Sequence, residues 1–126
     1  MTSITAAFTV DLRPGEDLPG AAGRFELTKT WTGALEGTSR GTMLTAGDPA
    51  TGDAGYIASE VFEGTLQGRS GTVALQQLGT MAGGEPALEY VLVPGSGTEA
   101  LAGTRGTLTI DGIDDDGVHR VSISLV

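Results

Sequence analysis

The chain reads as an all-β protein, an eight-stranded antiparallel up-and-down β-barrel. Three observations predict it. The 126 residues break into short runs rich in Val, Thr, Leu and Ile, punctuated by Gly and Asp. The 21 glycines follow no collagen period and Pro is scarce, so the glycines read as turn and bulge residues. A corner motif recurs about every 31–35 residues, roughly two strands plus two turns, as in a meander.

Eight strands are predicted, at about 4–10, 24–33, 38–46, 54–66, 70–81, 86–93, 104–111 and 117–125. The longest connection, "DLRPGEDLPGAAG" (11–23), is polar and rich in Pro and Gly. "TAGDPATGDAG" (45–55) and "DGIDDDG" (111–117) read as turns. No segment has a helical period, and "TEALAG" (98–103) is one turn at most. Eight strands in a flat sheet would leave exposed edges, so closure into a barrel is expected. The length suits one domain, residues 1–126.

The repeat has three copies. "WTGALEGTSRGT" (31–42) and "FEGTLQGRSGT" (62–72) share aromatic-x-Gly-x-Leu-x-Gly and then Gly-Thr. "GTEALAGTRGT" (97–107) keeps Leu-x-Gly-x-x-Gly-Thr. One type of corner at every second connection is the expectation. With a turn at Gly68-Arg69, the middle copy pairs Leu66 with Gly71, Phe62 with Leu75 and Glu60 with Gln77. Phe62, Leu66, Val73 and Leu75 then share the inner face, and Glu60 and Gln77 point inward opposite each other.

Alternation in "RFELTKTW" puts Phe25, Leu27, Lys29 and Trp31 on one face, with Lys29 inside or near a rim. Val118–Leu125 places His119, Val121, Ile123 and Leu125 together, with His119 at the mouth. In "ALEYVLVP" both alternating sets contain apolar residues, so Glu89 and Tyr90 compete for the interior. The inner face of 38–46 is equally open.

Composition excludes several functions. Seven Lys plus Arg stand against 16 Asp plus Glu, a net charge of −9. That balance argues against nucleic acid and against an anionic membrane surface as partners. With no Cys and one His, thiolate chemistry, disulfides and zinc sites built on Cys are excluded, and no metal or other cofactor is expected. No signal peptide or long apolar run is present, so a cytoplasmic protein is expected. "DDD" (114–116) lacks EF-hand spacing, and "PGSG" (94–97) lacks the Lys and helix of a phosphate cradle.

The chemistry-bearing candidate is therefore Glu60, with Gln77 as its partner and Lys29, Tyr56, Tyr90 and His119 as neighbours. Trp31, Phe62 and Leu75 would form apolar walls. A carboxylate inside a barrel is desolvated, which suits general acid–base work. A self-satisfied polar network, or a structural Glu60–Lys29 ion pair, is the competing role.

"TKTWTGALEGTS", "GYIASEVFEGTLQGRSGTVALQQLGT" and "VLVPGSGTEALAGTRGTLTI" resemble the bacterial family of unknown function numbered 3224, over about residues 25–125. The resemblance implies the allene-oxide-cyclase-like barrel, a small eight-stranded barrel of the broad calycin type, whose relatives bind apolar intermediates and steer cyclisation or coupling. The family's usual Glu-Arg-Phe is Glu60-Val61-Phe62 here, and its frequent Gln-His is Gln76-Gln77. The expected function is thus a small-molecule-binding barrel for an apolar, polyketide- or terpenoid-like compound. It would act as an isomerase or cyclase by confinement plus one carboxylate. The alternatives are a non-catalytic carrier and a filled structural barrel. Homo-oligomerisation is left open.

Overall fold

The structure, a computed structural model, describes residues 2–16, 18–19 and 22–126. Among these residues eight strands close into an antiparallel barrel in sequence order. They are β1 (Thr2–Pro14), β2 (Gly23–Gly33), β3 (Leu35–Asp48), β4 (Asp53–Leu66), β5 (Arg69–Ala82), β6 (Glu85–Leu92), β7 (Gly106–Ile113) and β8 (His119–Leu125). The predicted order and closure hold. No helix among the described residues is long and apolar enough to cross a membrane.

β1 is longer than its composition suggests. "DLRP" looks like a loop, yet it continues the strand, pairing Leu12 with Leu27 and Pro14 with Phe25. The connection that follows is correspondingly short, and Asp17, Gly20 and Ala21 lie outside the described residues. Pairing of β1 with β8 stops at Phe8–His119, so residues 9–14 have a neighbour only on the β2 side. Pro14 is tolerated there because a missing N–H does least harm on a free edge.

The middle corner turns at Gln67-Gly68, not at Gly68-Arg69. Both residues have positive φ, 49° and 80°. A two-residue type I′ hairpin needs that conformation twice, and Gly takes the second place without a Cβ penalty. The register therefore moves by two residues. Leu66 pairs with Arg69, Phe62 with Val73, Glu60 with Leu75 and Ala58 with Gln77. The expected Phe62–Leu75 and Glu60–Gln77 pairs do not form. Because the shift is even, every side chain keeps its face.

The three corner copies are likewise not one turn used three times. The first is the β2–β3 connection beside Gly33 and the second the Gln67-Gly68 hairpin, whereas the third lies in the long 93–105 connection. What they share is a leucine. Leu35, Leu66 and Leu101 are each 0% exposed and belong to the same core cluster as Val73, Leu108 and Ile123. All three connections lie at one end of the meander, so each copy delivers a leucine to the floor. Leu101 comes from a single 3-10 turn, Glu99–Leu101.

The 93–105 segment takes over where β6 ends. Val93 N–H donates to Ala74 O (2.9 Å) and Thr98 N–H to Thr72 O (2.9 Å). Ser96 Oγ accepts from Ala74 N–H (3.0 Å), and Thr98 Oγ1 from Thr72 N–H (3.0 Å). "VPGSGTEALAGTRG" thus covers the lower edge of β5 that would otherwise be unpaired.

The wall opens higher up. β6 and β7 pair only at Val91–Thr107 and Leu92–Gly106, then diverge. Val10 and Leu12 share a face with buried Ala6 and Phe8, and Leu88 shares one with buried Tyr90, yet all three are exposed. The barrel is a cup with a packed floor and an open, apolar upper end.

Candidate functional site

A polar hub sits between floor and opening. It is built from strands that supply one inward side chain each at the same height: Lys29 from β2, Ser39 from β3, Glu60 from β4 and Tyr90 from β6. All four are buried. Lys29 Nζ lies 2.8 Å from Glu60 Oε2. It also donates to Tyr90 Oη at 2.8 Å, and Tyr90 O–H donates to Glu60 Oε1 at 3.0 Å. Ser39 Oγ donates to the same Oε1 at 3.0 Å and accepts from Trp31 Nε1–H at 2.9 Å. The carboxylate thus has a cation on one oxygen and two hydroxyl donors on the other. Oε2 has no well-aligned donor and depends on the Lys29 charge alone.

Three aromatic rings enclose the ammonium. Nζ is 4.4 Å from the Phe8 ring centre, 4.9 Å from Tyr90 and 5.7 Å from Trp31. Such faces attract a cation and partly replace lost water. Burial pushes the Lys29 ammonium below the usual lysine range, and the Glu60 carboxylate opposes part of that. Burial, then the Glu60 charge, push the Tyr90 phenol far above its ordinary value, so it stays a donor.

Tyr56 and Gln77 lie one step nearer the opening. Gln77 Nε2 donates to Tyr56 Oη at 2.6 Å. The Tyr56 ring rests on the backbone of Gly79, its partner across β4 and β5. A Cβ at Gly79 would sit 2.3 Å from Tyr56 Cε1, so only glycine leaves room for the ring. Burial raises the Tyr56 phenol above its ordinary value. His119 is half-buried and stacks on Phe8, with centroids 4.6 Å apart and planes 13° apart. Burial lowers its pKa below the usual histidine value.

Above this level lies a cleft of about 440 Å³. Its inward-facing lining is Tyr56, Gly79, Met81, Pro86, Leu88 and Ile110. The inward wall is apolar except for the Tyr56 hydroxyl, which Gln77 holds from below, and Thr80 and Ala87 complete the lining from the outer face. Glu60 and Lys29 line none of the described cavities. A second apolar groove, about 450 Å³, lies on the outer wall between Leu18 and the row Leu44, Ile57 and Leu78.

The predicted residues therefore divide. Lys29, Trp31, Glu60 and Tyr90 meet in the hub, while Tyr56 stands at the base of the cleft with Gln77 bonded to it from behind. His119 reaches the hub only through Phe8. Phe62 and Leu75 are fully buried in the core, with Phe62 edge-on to Trp31 at 6.4 Å. Sequence reasoning missed Ser39, Phe8 and the cleft residues Met81, Leu88 and Ile110. "GTSRG" carried a signal: Gly37, Ser39 and Gly41 alternate, so one face of β3 is kept small where bulky neighbours must cross it.

Comparison with known proteins matches this fold. Residues 4–125 match the family described as protein of unknown function (DUF3224). A crystal structure of a DUF3224-family protein of unknown function from Shewanella oneidensis MR-1 superposes with a TM-score of 0.91 at 38% identity. The match covers 100% of this chain and 96% of that one. No curated protein matches the chain.

Proposed function

We propose, for a chain that belongs to the DUF3224 family, that the barrel binds a small apolar or amphipathic molecule in the cleft where β6 and β7 part. One observation carries this reading: the inward-facing residues Leu88 and Ile110 line a cleft of about 440 Å³ beyond the last β6–β7 pair. That size lies within the range of small-molecule sites, roughly 300–1,000 Å³, and so does the largely apolar lining with few polar groups. The floor below is filled, so the ligand is held at the open end and not through the whole barrel.

The geometry supports binding more than acid–base catalysis by Glu60. Both carboxylate oxygens are already engaged, and Gln77 and Tyr56 stand between the hub and the cleft. A buried pair arranged this way shapes and stiffens the wall. Isomerisation or cyclisation by confinement remains compatible with the site, and its polar contacts would then come from Tyr56 and Gln77.

The test is binding of the neutral fluorophore N-phenyl-1-naphthylamine. The intact protein should enhance its emission saturably, and Leu88→Arg should weaken binding by at least about tenfold through loss of apolar contact and an added charge. Val61→Arg, on the outer wall, should leave it unchanged. Absent binding, or loss with Val61→Arg and not with Leu88→Arg, would refute the reading.

A further inference from the structure

We infer that the ligand carries a hydrogen-bond acceptor, such as a ketone, ester or ether oxygen, and that the Tyr56–Gln77 pair reads it. This rests on the cleft reading above and names the chemistry of the ligand's polar end.

The inference follows from counting protons at the base of the cleft. Tyr56 and Gln77 together hold three donor hydrogens: one phenolic O–H and two amide N–H. One amide N–H is spent on Tyr56 Oη at 2.6 Å. Because the phenolic oxygen is the acceptor in that bond, its own proton points elsewhere. Among the described residues no group accepts it. Turning the amide over does not change the surplus: the phenol would then donate to Gln77 Oε1, and both amide N–H groups would be free. In either arrangement at least one donor is left over at the base of an otherwise apolar wall.

That surplus selects an acceptor. Tyr56 lines the cleft and is only half-buried, so its free hydrogen is reachable from there. A pure hydrocarbon would strip water from a donor and leave it bare, which is costly. A ligand oxygen at the same place restores the bond. Charge points to a neutral acceptor over a carboxylate. Tyr56 remains a phenol, since burial raises its pKa, and the Lys29 cation behind it is already matched by Glu60. The ligand class is therefore an apolar body of bicyclic size or longer with a neutral oxygen at its inner end.

The experiment compares two probes of nearly equal shape, 2-acetylnaphthalene and 2-ethylnaphthalene, each displacing N-phenyl-1-naphthylamine. Tyr56→Phe and Gln77→Leu are made separately, and far- and near-ultraviolet circular dichroism checks that each folds. One hydrogen bond is worth about 0.5–1.5 kcal/mol, so one or both variants should weaken the ketone about three- to tenfold relative to the hydrocarbon. An unchanged ketone-to-hydrocarbon affinity ratio in both variants overturns the inference while leaving the cleft reading intact. Binding of the hydrocarbon without the ketone also overturns the inference, and failure of both probes to bind the intact protein overturns both readings.

Discussion

Lys29 and Glu60 meet at 2.8 Å although their strands are not neighbours. β3 lies between them, and it puts Ser39 opposite Lys29 and Gly41 opposite Glu60. The long side chains cross above a strand kept small for them. Removing one partner leaves the other buried and uncompensated, which typically costs about 3–5 kcal/mol. Glu60→Gln should therefore lower stability by roughly 3 kcal/mol in urea titrations. Adding Lys29→Met to it should recover most of that loss, because a neutral interior has no charge to match. A double variant no more stable than the single would contradict the structural role.

Gly41 allows this crossing. A Cβ there would overlap Ser59 O and lie 2.6 Å from Glu60 Cα, both backbone atoms that cannot swing aside. Gly41→Ala should destabilise the barrel by about 3 kcal/mol or more, beyond the usual range for overpacking. The same denaturant titration checks it, alongside Gly15→Ala as a comparator whose added Cβ would meet only the Arg24 side chain at ordinary contact distance.

The β4–β5 turn offers a gain. Gln67 holds a left-handed φ of 49° that Asn adopts more readily. Gln67→Asn should raise stability by about 0.5 kcal/mol, the scale of compatible turn substitutions. A loss would mean that the Gln67 side chain has a role the turn geometry does not require.

His119 makes stability pH-dependent. Its pKa is lowered in the fold, by burial first and then by the Lys29 charge, while the backbone bond to Gly117 opposes the shift. A histidine that is harder to protonate when folded destabilises the fold as acid drives protonation. Its contribution is complete above the ordinary value near 6.5 and falls as pH drops through the window between that value and the lowered one. Urea midpoints from pH 8 to 5 should decline more steeply for the natural protein than for His119→Asn. Parallel curves would contradict this.

Much of the barrel is legible in the sequence because closure depends on short-range signals. Turn glycines and strict alternation locate the strands, and alternation alone places Lys29, Glu60, Gln77 and His119 on inner faces. Register is harder. Gly68 can serve either place of a two-residue turn in the sequence, and only the conformation of Gln67 decides which. The error of two residues kept the faces and changed every cross-strand partner, so an inward Glu60 with Lys29 and Tyr90 beside it was foreseeable and the Ser39 contact was not. β6 was ambiguous for a physical reason: above Tyr90 its inner face looks onto an opening, so apolar residues on both sides carry no contrast. The cleft itself depends on where β6 and β7 stop pairing, a property of two strands that neither reveals alone.

The most direct test of the binding claim is a nuclear Overhauser measurement between 2-ethylnaphthalene and methyl-labelled protein. The cleft reading predicts contacts from the naphthyl protons to the methyl groups of Met81, Leu88 and Ile110. Contacts confined to Ile57, Val61 and Leu78 on the outer wall, or none at saturating probe, would contradict it.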